Sequence, residues 1–326
     1  MAVRIAEYLG QRTDCDAKVI EPIALGTDAL CPFMDKPCSK VSKKRGANHP
    51  VCSVRKPNDE IWIVCEHRLC STSNTKKVTL PERNRKGEPK TKAVKIGLVA
   101  HQIDILKKIA KTIYREPIDF SKVMVKRETL VPLPEAENAY HADYIMRNLS
   151  PGAKVDEILL EMQGGGETNN TGSITRHIDN WAANPYRTNE DLRKSVNAGT
   201  LETNAWRRQQ EQFLVKGNVV DQTGGKIVFA VGSELYDYLE KRFRNAGLRD
   251  LKAHNWTLCI LAFKEQKVSP MPGPIPLKID SSKVIFSNYS TFVRFLTDQG
   301  GPEPSIFEGD FITLDNKPYH VDASLP

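Results

Sequence analysis

Two acidic residues in the middle of this 326-residue sequence could bind a metal ion. Asp143 and Glu161 are separated by a Ser-Pro-Gly turn signal at 150–152, and Gln163 follows in the apolar segment 158–163. Alternate side chains of a strand point to opposite faces, so Glu161 and Gln163 share one face. Two antiparallel strands joined at the turn would bring Asp143 beside Glu161. Such a carboxylate pair suits a hard cation such as Mg²⁺.

Four of the five cysteines in the first 65 residues form a second group that could do chemistry. They are Cys31, Cys38, Cys52 and Cys65, with the spacing C-x6-C-x13-C-x12-C. The N-terminal segment lacks the apolar stretch that directs secretion, so we expect an intracellular protein in which cysteines stay reduced. The total number of cysteines, seven, is odd. Both observations favour metal ligation over disulfides.

A tetrahedral set of four thiolates fits one zinc or one iron ion. His67 and Cys70 are close enough to Cys65 to replace it as a ligand. Coordination by four protein groups leaves no open position, so this site is expected to be structural and not catalytic.

A basic segment follows the cysteines. The formal net charge of the chain is +7. The stretch from Lys76 to Lys95 contains eight lysines and arginines but only two acidic residues, Glu82 and Glu88. Such a segment can neutralise DNA phosphates, although a charge run is equally typical of a solvated linker. No apolar run approaches the ~20 residues that span a bilayer. We therefore expect a cytoplasmic protein without a membrane partner.

The elements that must position these residues alternate between helices and strands. Apolar periodicity predicts helices at 102–114, 201–216 and 234–246. Strands are predicted at 122–131, 141–148, 158–163, 226–231 and 256–263. This order predicts an α/β fold with a mixed central sheet flanked by helices. Cys259, inside the last strand, is expected to be a core residue.

The sequence divides into two predicted domains. Residues 1–90 would form a metal-binding module with its basic connector, and residues 91–326 would form the catalytic domain. Residues 166–197 are rich in Asn, Thr, Gly and Arg and are predicted to form a long functional loop. Its basic residues could contact DNA bases or phosphates. They are Arg176, His177, Arg187 and Arg193.

Several of these motifs occur together in one known family. In the N-terminal part they are Ile5-Ala6-Glu7-Tyr8 with Gly10, Cys31-Pro32-Phe33, Cys38, Cys52 and Trp62–Cys65. Further along they are Asp143-Tyr144, Glu161-Met162-Gln163, the helix around Trp206–Phe213 and the strand 226–231. In this order the sequence resembles NotI-type type II restriction endonucleases over most of the chain. That family combines a PD-(D/E)XK nuclease core with an N-terminal four-cysteine metal fold.

The resemblance implies a role for each residue of the acidic motif. Asp143 and Glu161 would coordinate Mg²⁺ with help from the Met162 carbonyl. Gln163 would stand where most nucleases of this superfamily have a lysine. A neutral amide can only orient the attacking water, so activation of that water would depend on the metal.

The resemblance also implies an auxiliary acid, a structural metal and an assembly. Glu128 has the spacing of the auxiliary acid, and Glu116 is the alternative. The four cysteines would hold one ion, with iron favoured over zinc. Two chains would form a homodimer on double-stranded DNA, with a palindromic and GC-rich target.

These observations together predict a type II restriction endonuclease that hydrolyses phosphodiester bonds at a specific site with Mg²⁺. One alternative is a non-catalytic DNA-binding protein whose fold is stabilised by the bound metal. In such a protein Asp143 and Glu161 would be separate solvated residues. The second alternative is a nuclease of the same superfamily that acts in repair or recombination and recognises DNA structure.

Overall fold

A computed structural model describes residues 2–41, 49–84, 86–114, 117–131, 140–150, 157–243, 254–297 and 304–322. It contains a six-stranded sheet, a four-stranded sheet and two separate two-stranded hairpins. The predicted α/β class with a mixed central sheet is thereby confirmed. None of the helices in these ranges combines the length and the apolar character that a membrane crossing needs.

The central sheet consists of six strands. They are β7 (Val123–Val131), β8 (Tyr140–Asn148), β9 (Glu157–Gln163), β10 (Lys226–Gly232), β11 (Leu258–Glu265) and β12 (Leu277–Ser287). Neighbours in the sheet follow the order of the sequence. Strands β9, β10 and β11 are parallel, whereas β8 runs antiparallel to both of its neighbours and β12 runs antiparallel to β11. The five predicted strands therefore lie in one sheet.

Helices cover both faces of this sheet. One face packs against α2 (Ala100–Ile113), and the opposite face packs against α5 (Glu202–Gln222), α6 (Ser233–Phe243) and α7 (Tyr289–Thr297). Strand β10 is apolar from Ile227 to Val231, as is typical of a strand with both faces buried. Phe229 contacts Phe213 of α5 with ring centroids 3.9 Å apart, while the neighbouring Val228 lies in the core with Ile105 of α2. Cys259 is fully buried in β11, as predicted.

The prediction of a long loop at 166–197 was wrong. This segment contains α3 (Thr171–Ala183) and α4 (Asn189–Leu192). Ile174, Ile178 and Trp181 follow the spacing of one helix face and are buried in the core beside the central sheet. The polar residues that suggested a loop lie on the other faces of the helix, so apolar periodicity was the better signal.

The N-terminal segment forms a sheet of its own. Its strands are β1 (Arg4–Tyr8), β2 (Gln11–Arg12), β3 (Val51–Arg55) and β4 (Ile61–Ile63), and α1 (Glu66–Cys70) follows. The order in the sheet is β2-β1-β3-β4. Tyr8 of β1 contacts Trp181 of α3 with ring centroids 5.5 Å apart. The N-terminal segment therefore shares a hydrophobic core with the rest of the chain.

The basic connector is a β-hairpin and not an extended linker. Its strands are β5 (Thr75–Arg83) and β6 (Pro89–Lys95). A second hairpin of β13 (Gly309–Ile312) and β14 (Pro318–Val321) lies near the C-terminus.

Glycines after β9 allow the N-terminal sheet to approach the end of the central sheet. A Cβ at Gly165 would lie 2.7 Å from the Ile63 carbonyl oxygen of β4. A Cβ at Gly232 would lie 1.9 Å from the carbonyl oxygen of Gly164. Only glycine leaves room for these backbone contacts, and β4 is thereby held beside the residues that follow Glu161.

Candidate functional site

The site is built on two adjacent antiparallel strands of the central sheet, β8 and β9. Tyr144 of β8 pairs with Leu160 of β9, so the next position along each strand brings Asp143 beside Glu161. The Oδ2 atom of Asp143 accepts a hydrogen bond from the Met162 backbone N–H at 2.8 Å. The juxtaposition expected from the sequence is therefore present.

Both carboxyl groups have altered acidity because they are removed from water. Burial, the charge of Asp143 and a smaller opposing effect of Lys216 together raise the pKa of Glu161 to about 8. Burial also raises the pKa of Asp143, although the Met162 N–H partly counteracts it. Two neighbouring carboxyl groups in such a place cannot both ionise at neutral pH without a compensating positive charge.

Lys216 provides one such charge, and sequence reasoning missed it. It lies on α5, and its Nζ donates to Oε2 of Glu161 at 2.6 Å. Glu161 and Lys216 are each 4% exposed, so the ion pair is shielded from water. The other carboxylate oxygen, Oε1 of Glu161, is buried and accepts no hydrogen bond within the described ranges. The pair therefore leaves one oxygen available to a further cation.

One sequence signal pointed to Lys216. It follows Phe213 by three positions and precedes Val220 by four, and both of these are buried on the apolar face of α5. A lysine on such a face must meet a buried partner. Its partner is 55 positions away in the sequence, so the sequence alone did not reveal which residue that was.

Gln163 and Met162 lie at the end of β9, as predicted. The Gln163 side chain is half-buried and donates from Nε2 to the backbone carbonyl of Gly165. Met162 points its side chain to the opposite face, into the core with α2, and its N–H orients Asp143. Participation of the Met162 carbonyl stays a prediction.

Glu128 lies across from Asp143 on the neighbouring strand. Arg127 pairs with Tyr144 and Thr129 pairs with Ala142, which places Glu128 opposite Asp143. Its φ of 45° is in the left-handed region, which is uncommon for a residue other than glycine. Its Oε1 accepts from Thr72 Oγ1 at 3.3 Å.

The charge of Glu128 also contributes to the raised pKa of Asp143. The structure thus brings Glu128 near the pair, while its role as an auxiliary acid stays a prediction. The alternative, Glu116, lies outside the described residues.

The four N-terminal cysteines lie in one buried cluster. Cys31, Cys38, Cys52 and Cys65 pack together with Phe33, Met34 and Val41, and all four are free thiols. The Gly10 backbone N–H donates to Sγ of Cys52 at 3.3 Å. Cys70 lies elsewhere, 3.3 Å from the Tyr144 hydroxyl in the core beneath α2. Cys65, rather than Cys70, is therefore the cysteine grouped with the other three.

Burial keeps two of these thiols, Cys31 and Cys52, protonated in the absence of a cation. It raises the pKa of Cys31 to about 12, against the opposing effect of the Phe33 N–H, and it raises the pKa of Cys52 well above its usual value. Across the described residues, no three His, Cys, Asp or Glu side chains are arranged as a metal site. The donor set fits a thiolate centre in its chemistry, whereas its sulfur atoms do not converge on one point.

Three of the four basic residues predicted to contact DNA from segment 166–197 are held by contacts within the protein. Arg187 pairs with Glu21 at 2.8 Å. Arg193 donates to the Thr13 carbonyl at 2.9 Å. His177 Nε2 lies 2.9 Å from the carbonyl oxygen of Leu192. These contacts fasten α3 and α4 to the N-terminal segment and to each other, so DNA contact by these side chains stays a prediction.

Comparison with known proteins does not assign this chain to a family. No family model matches the sequence, and no curated protein is significantly similar to it.

Proposed function

We propose that this protein is a Mg²⁺-dependent endonuclease that cuts double-stranded DNA at specific sites, and thus a type II restriction enzyme. The observation that carries the proposal is the buried pair of Asp143 and Glu161 with Lys216 against it. Strongly perturbed acidic groups of this kind are concentrated at catalytic and metal sites. The order of the motifs and their resemblance to NotI-type enzymes support the same activity.

The two carboxyl groups fit a divalent cation. Their oxygens are the donors that Mg²⁺ prefers, and the Oε1 atom of Glu161 is a buried acceptor that a cation would satisfy. A bound Mg²⁺ would supply a water of lowered pKa and would stabilise charge on the phosphate. Asp143 is already oriented toward this role by the Met162 N–H.

Lys216 brings the positive charge that Gln163 cannot provide. Its ammonium group favours the ionised form of Glu161, which burial disfavours. Gln163, held by Gly165, orients the attacking water. This water forms the new bond to phosphorus as the bond to the 3′ oxygen breaks, leaving a 5′-phosphate and a 3′-hydroxyl.

The four-cysteine cluster has a structural role in this proposal. A single iron or zinc ion bound by Cys31, Cys38, Cys52 and Cys65 would tie the long segment between β2 and β3 to the start of α1. Metal-bound thiolates are deprotonated, so the ion would offset the cost of burying four ionised sulfurs. The free energy of metal binding would thereby stabilise the fold of a segment that has few apolar residues.

A double-strand cut requires two catalytic centres. The described residues of one chain provide one carboxylate pair with a buried lysine, so we propose a homodimer. A two-fold axis would place one centre on each strand and would match a palindromic target.

Digestion of a large phage DNA tests the proposal. The protein is incubated with this DNA and Mg²⁺, and the products are separated by electrophoresis. We expect discrete bands that are absent with EDTA. A smear would identify a nuclease without sequence specificity, as in repair or recombination. Intact DNA at every divalent metal tested would identify a non-catalytic binding protein and contradict the proposal.

A further inference from the structure

The hairpin of β5 and β6 is a two-stranded ribbon that extends into solvent. Its strands pair with each other, and all but three of its sixteen strand residues, Lys76, Leu80 and Val94, are exposed. Two strands about 4.8 Å apart are narrow enough to enter the major groove of B-DNA, which is about 12 Å wide and admits a two-stranded ribbon.

The two faces of this ribbon differ in chemistry. The pairs Thr75–Lys95, Lys77–Ala93 and Thr79–Thr91 alternate with the pairs Lys76–Val94 and Val78–Lys92. The first face is therefore made of threonines, an alanine and two lysines, all exposed and without an acidic residue; we call it the threonine face. Hydroxyl and methyl groups read base edges in the major groove, while lysines contact phosphates.

The opposite face is directed toward the protein at its base. Lys76 pairs there with Asp35 of the cysteine segment at 2.7 Å, and Val94 is half-buried. Of the two acids in the hairpin, Glu82 pairs with Lys90 at 2.8 Å, and Glu88 accepts from Asn84 at the tip. Apart from Lys92, the lysines of the opposite face are thus paired with acids. Lys77 and Lys95 of the threonine face have no acidic partner within the described ranges.

The base of the ribbon is fastened beside the candidate catalytic site. Arg127 of β7 donates to the carbonyl of Ser73, just before β5, at 2.8 Å. The same guanidinium also donates to the carbonyls of Ile96 and Gly97, just after β6. One side chain therefore clamps both ends of the hairpin. The next residue, Glu128, lies opposite Asp143.

We propose that the threonine face of the ribbon lies in the major groove of the DNA substrate and contributes to sequence recognition. The inference rests on the proposed function, because the partner is the duplex that the carboxylate site would cut. The clamp at Arg127 fixes the distance between the ribbon and the site, so bases read by the ribbon determine which phosphate reaches Asp143 and Glu161.

Two double variants with equal charge change test the choice of face. Lys77→Gln/Lys95→Gln removes two positive charges from the threonine face, and Lys90→Gln/Lys92→Gln removes two from the opposite face. Binding to a 500-bp duplex is measured in Ca²⁺ over a range of salt concentrations, and thermal melts verify folding. The first variant is expected to bind on the order of 10- to 100-fold more weakly, with a salt slope lower by about 2. The second is expected to stay within about 3-fold of wild type.

Competition with groove-specific dyes tests the groove. Methyl green occupies the major groove and netropsin the minor groove, and each is titrated into the wild-type complex. Displacement by methyl green alone is expected. Displacement by netropsin alone, or equal losses in both double variants, would overturn the inference.

Binding and cleavage are recorded separately, so that the two proposals can fail separately. Wild type that binds DNA without cutting it contradicts the endonuclease, while the double variants still decide the role of the ribbon. Wild type that does not bind DNA overturns both proposals. If the Lys77→Gln/Lys95→Gln variant cleaves DNA and also binds it as tightly as wild type does, the proposed role of the ribbon is contradicted and the endonuclease proposal is not.

Discussion

Glu161 carries an unusual combination for a strand residue: it is buried, it adjoins a second carboxyl group, and a lysine from a distant helix contacts it. Leaving a buried charge without its partner costs several kcal/mol. The ion pair with Lys216 reduces this cost without cancelling it, since the pKa of Glu161 is still raised to about 8. The site therefore favours a further positive charge, which is the property a metal-dependent nuclease requires.

The first prediction concerns Lys216. Lys216→Met should slow Mg²⁺-dependent cleavage at pH 7 at least 100-fold, about 2.7 kcal/mol in activation free energy, because Glu161 loses its compensating charge. Lys216→Arg should retain part of the rate. The measurement is the single-turnover cleavage rate of a plasmid.

Lys241→Met is the matched control for Lys216→Met, since Lys241 is an exposed lysine on α6. It should cut at the wild-type rate. A Lys216→Met enzyme within 5-fold of wild type would exclude Lys216 from the catalytic machinery.

The juxtaposition of Asp143 and Glu161 could be predicted because it is local in topology. The strands that carry them are consecutive and antiparallel, and alternation fixes the face. The contribution of Lys216 could not be predicted, because it depends on how a helix packs across the sheet. A sequence shows that a lysine is on an apolar face but not what it meets there.

Helix α2 shows how single elements are fixed to one another. His101 Nε2 lies 3.0 Å from the backbone carbonyl oxygens of Arg68 and Leu69, and its ring contacts Phe33 edge-on with centroids 4.9 Å apart. Burial, with the nearby charge of Arg68, lowers the pKa of His101 to about 4. The neutral ring thus holds α2 against α1 and the cysteine segment.

The second prediction is a pH dependence of stability. The unfolded chain binds a proton at His101 near pH 6.5, whereas the folded protein does so only near pH 4. The stability that depends on the neutral ring is therefore fully present above pH 6.5 and is lost as the pH falls toward 4. Between pH 7 and pH 5 the loss from this group is about 2 kcal/mol.

Urea unfolding at pH 7 and pH 5 measures this loss. His101→Gln should remove about 2 kcal/mol of the decrease in unfolding free energy. His254→Gln, which changes an exposed histidine, should leave the decrease as in wild type. Equal pH dependence in wild type and His101→Gln would contradict the prediction.

Elements with strong apolar periodicity were predicted well, while segments whose composition is polar were not. The strand at 226–231 and the helix at 102–114 appear within a few residues of their predicted positions as β10 and α2. The segment 166–197 and the basic connector were both assigned by composition. The structure of segment 166–197 depends on three buried positions of α3, and that of the basic connector depends on the pairing of β5 with β6. Amino-acid composition reveals neither of these features.

The whole molecule joins the N-terminal segment and the central sheet through a common core. Tyr8 and Trp62 lie in the same cluster as Phe229 and Val231 of the central sheet. Loss of the cysteine cluster should therefore affect more than the first 65 residues. The domain boundary at residue 90 stays a prediction.

The third prediction concerns the structural metal. Freshly purified, reduced protein should contain about one iron or zinc ion per chain by elemental analysis. Cys31→Ser should lose this ion and should melt at a lower temperature, because structural thiolate sites contribute folding free energy.

Cys15→Ser, which changes a buried cysteine outside the cluster, is the control and should retain the ion. Wild-type protein without stoichiometric metal would rule out the four-cysteine site.

The most direct measurement of the central claim compares cleavage and binding in variants of the two carboxylates. Asp143→Asn and Glu161→Gln should each cut plasmid DNA in Mg²⁺ at least 1000-fold more slowly than wild type, about 4 kcal/mol, while binding DNA in Ca²⁺ with unchanged or higher affinity. Glu157→Gln, an exposed glutamate on the same strand, should cut at the wild-type rate. Cleavage by either carboxylate variant within tenfold of wild type would contradict the assignment of the catalytic centre.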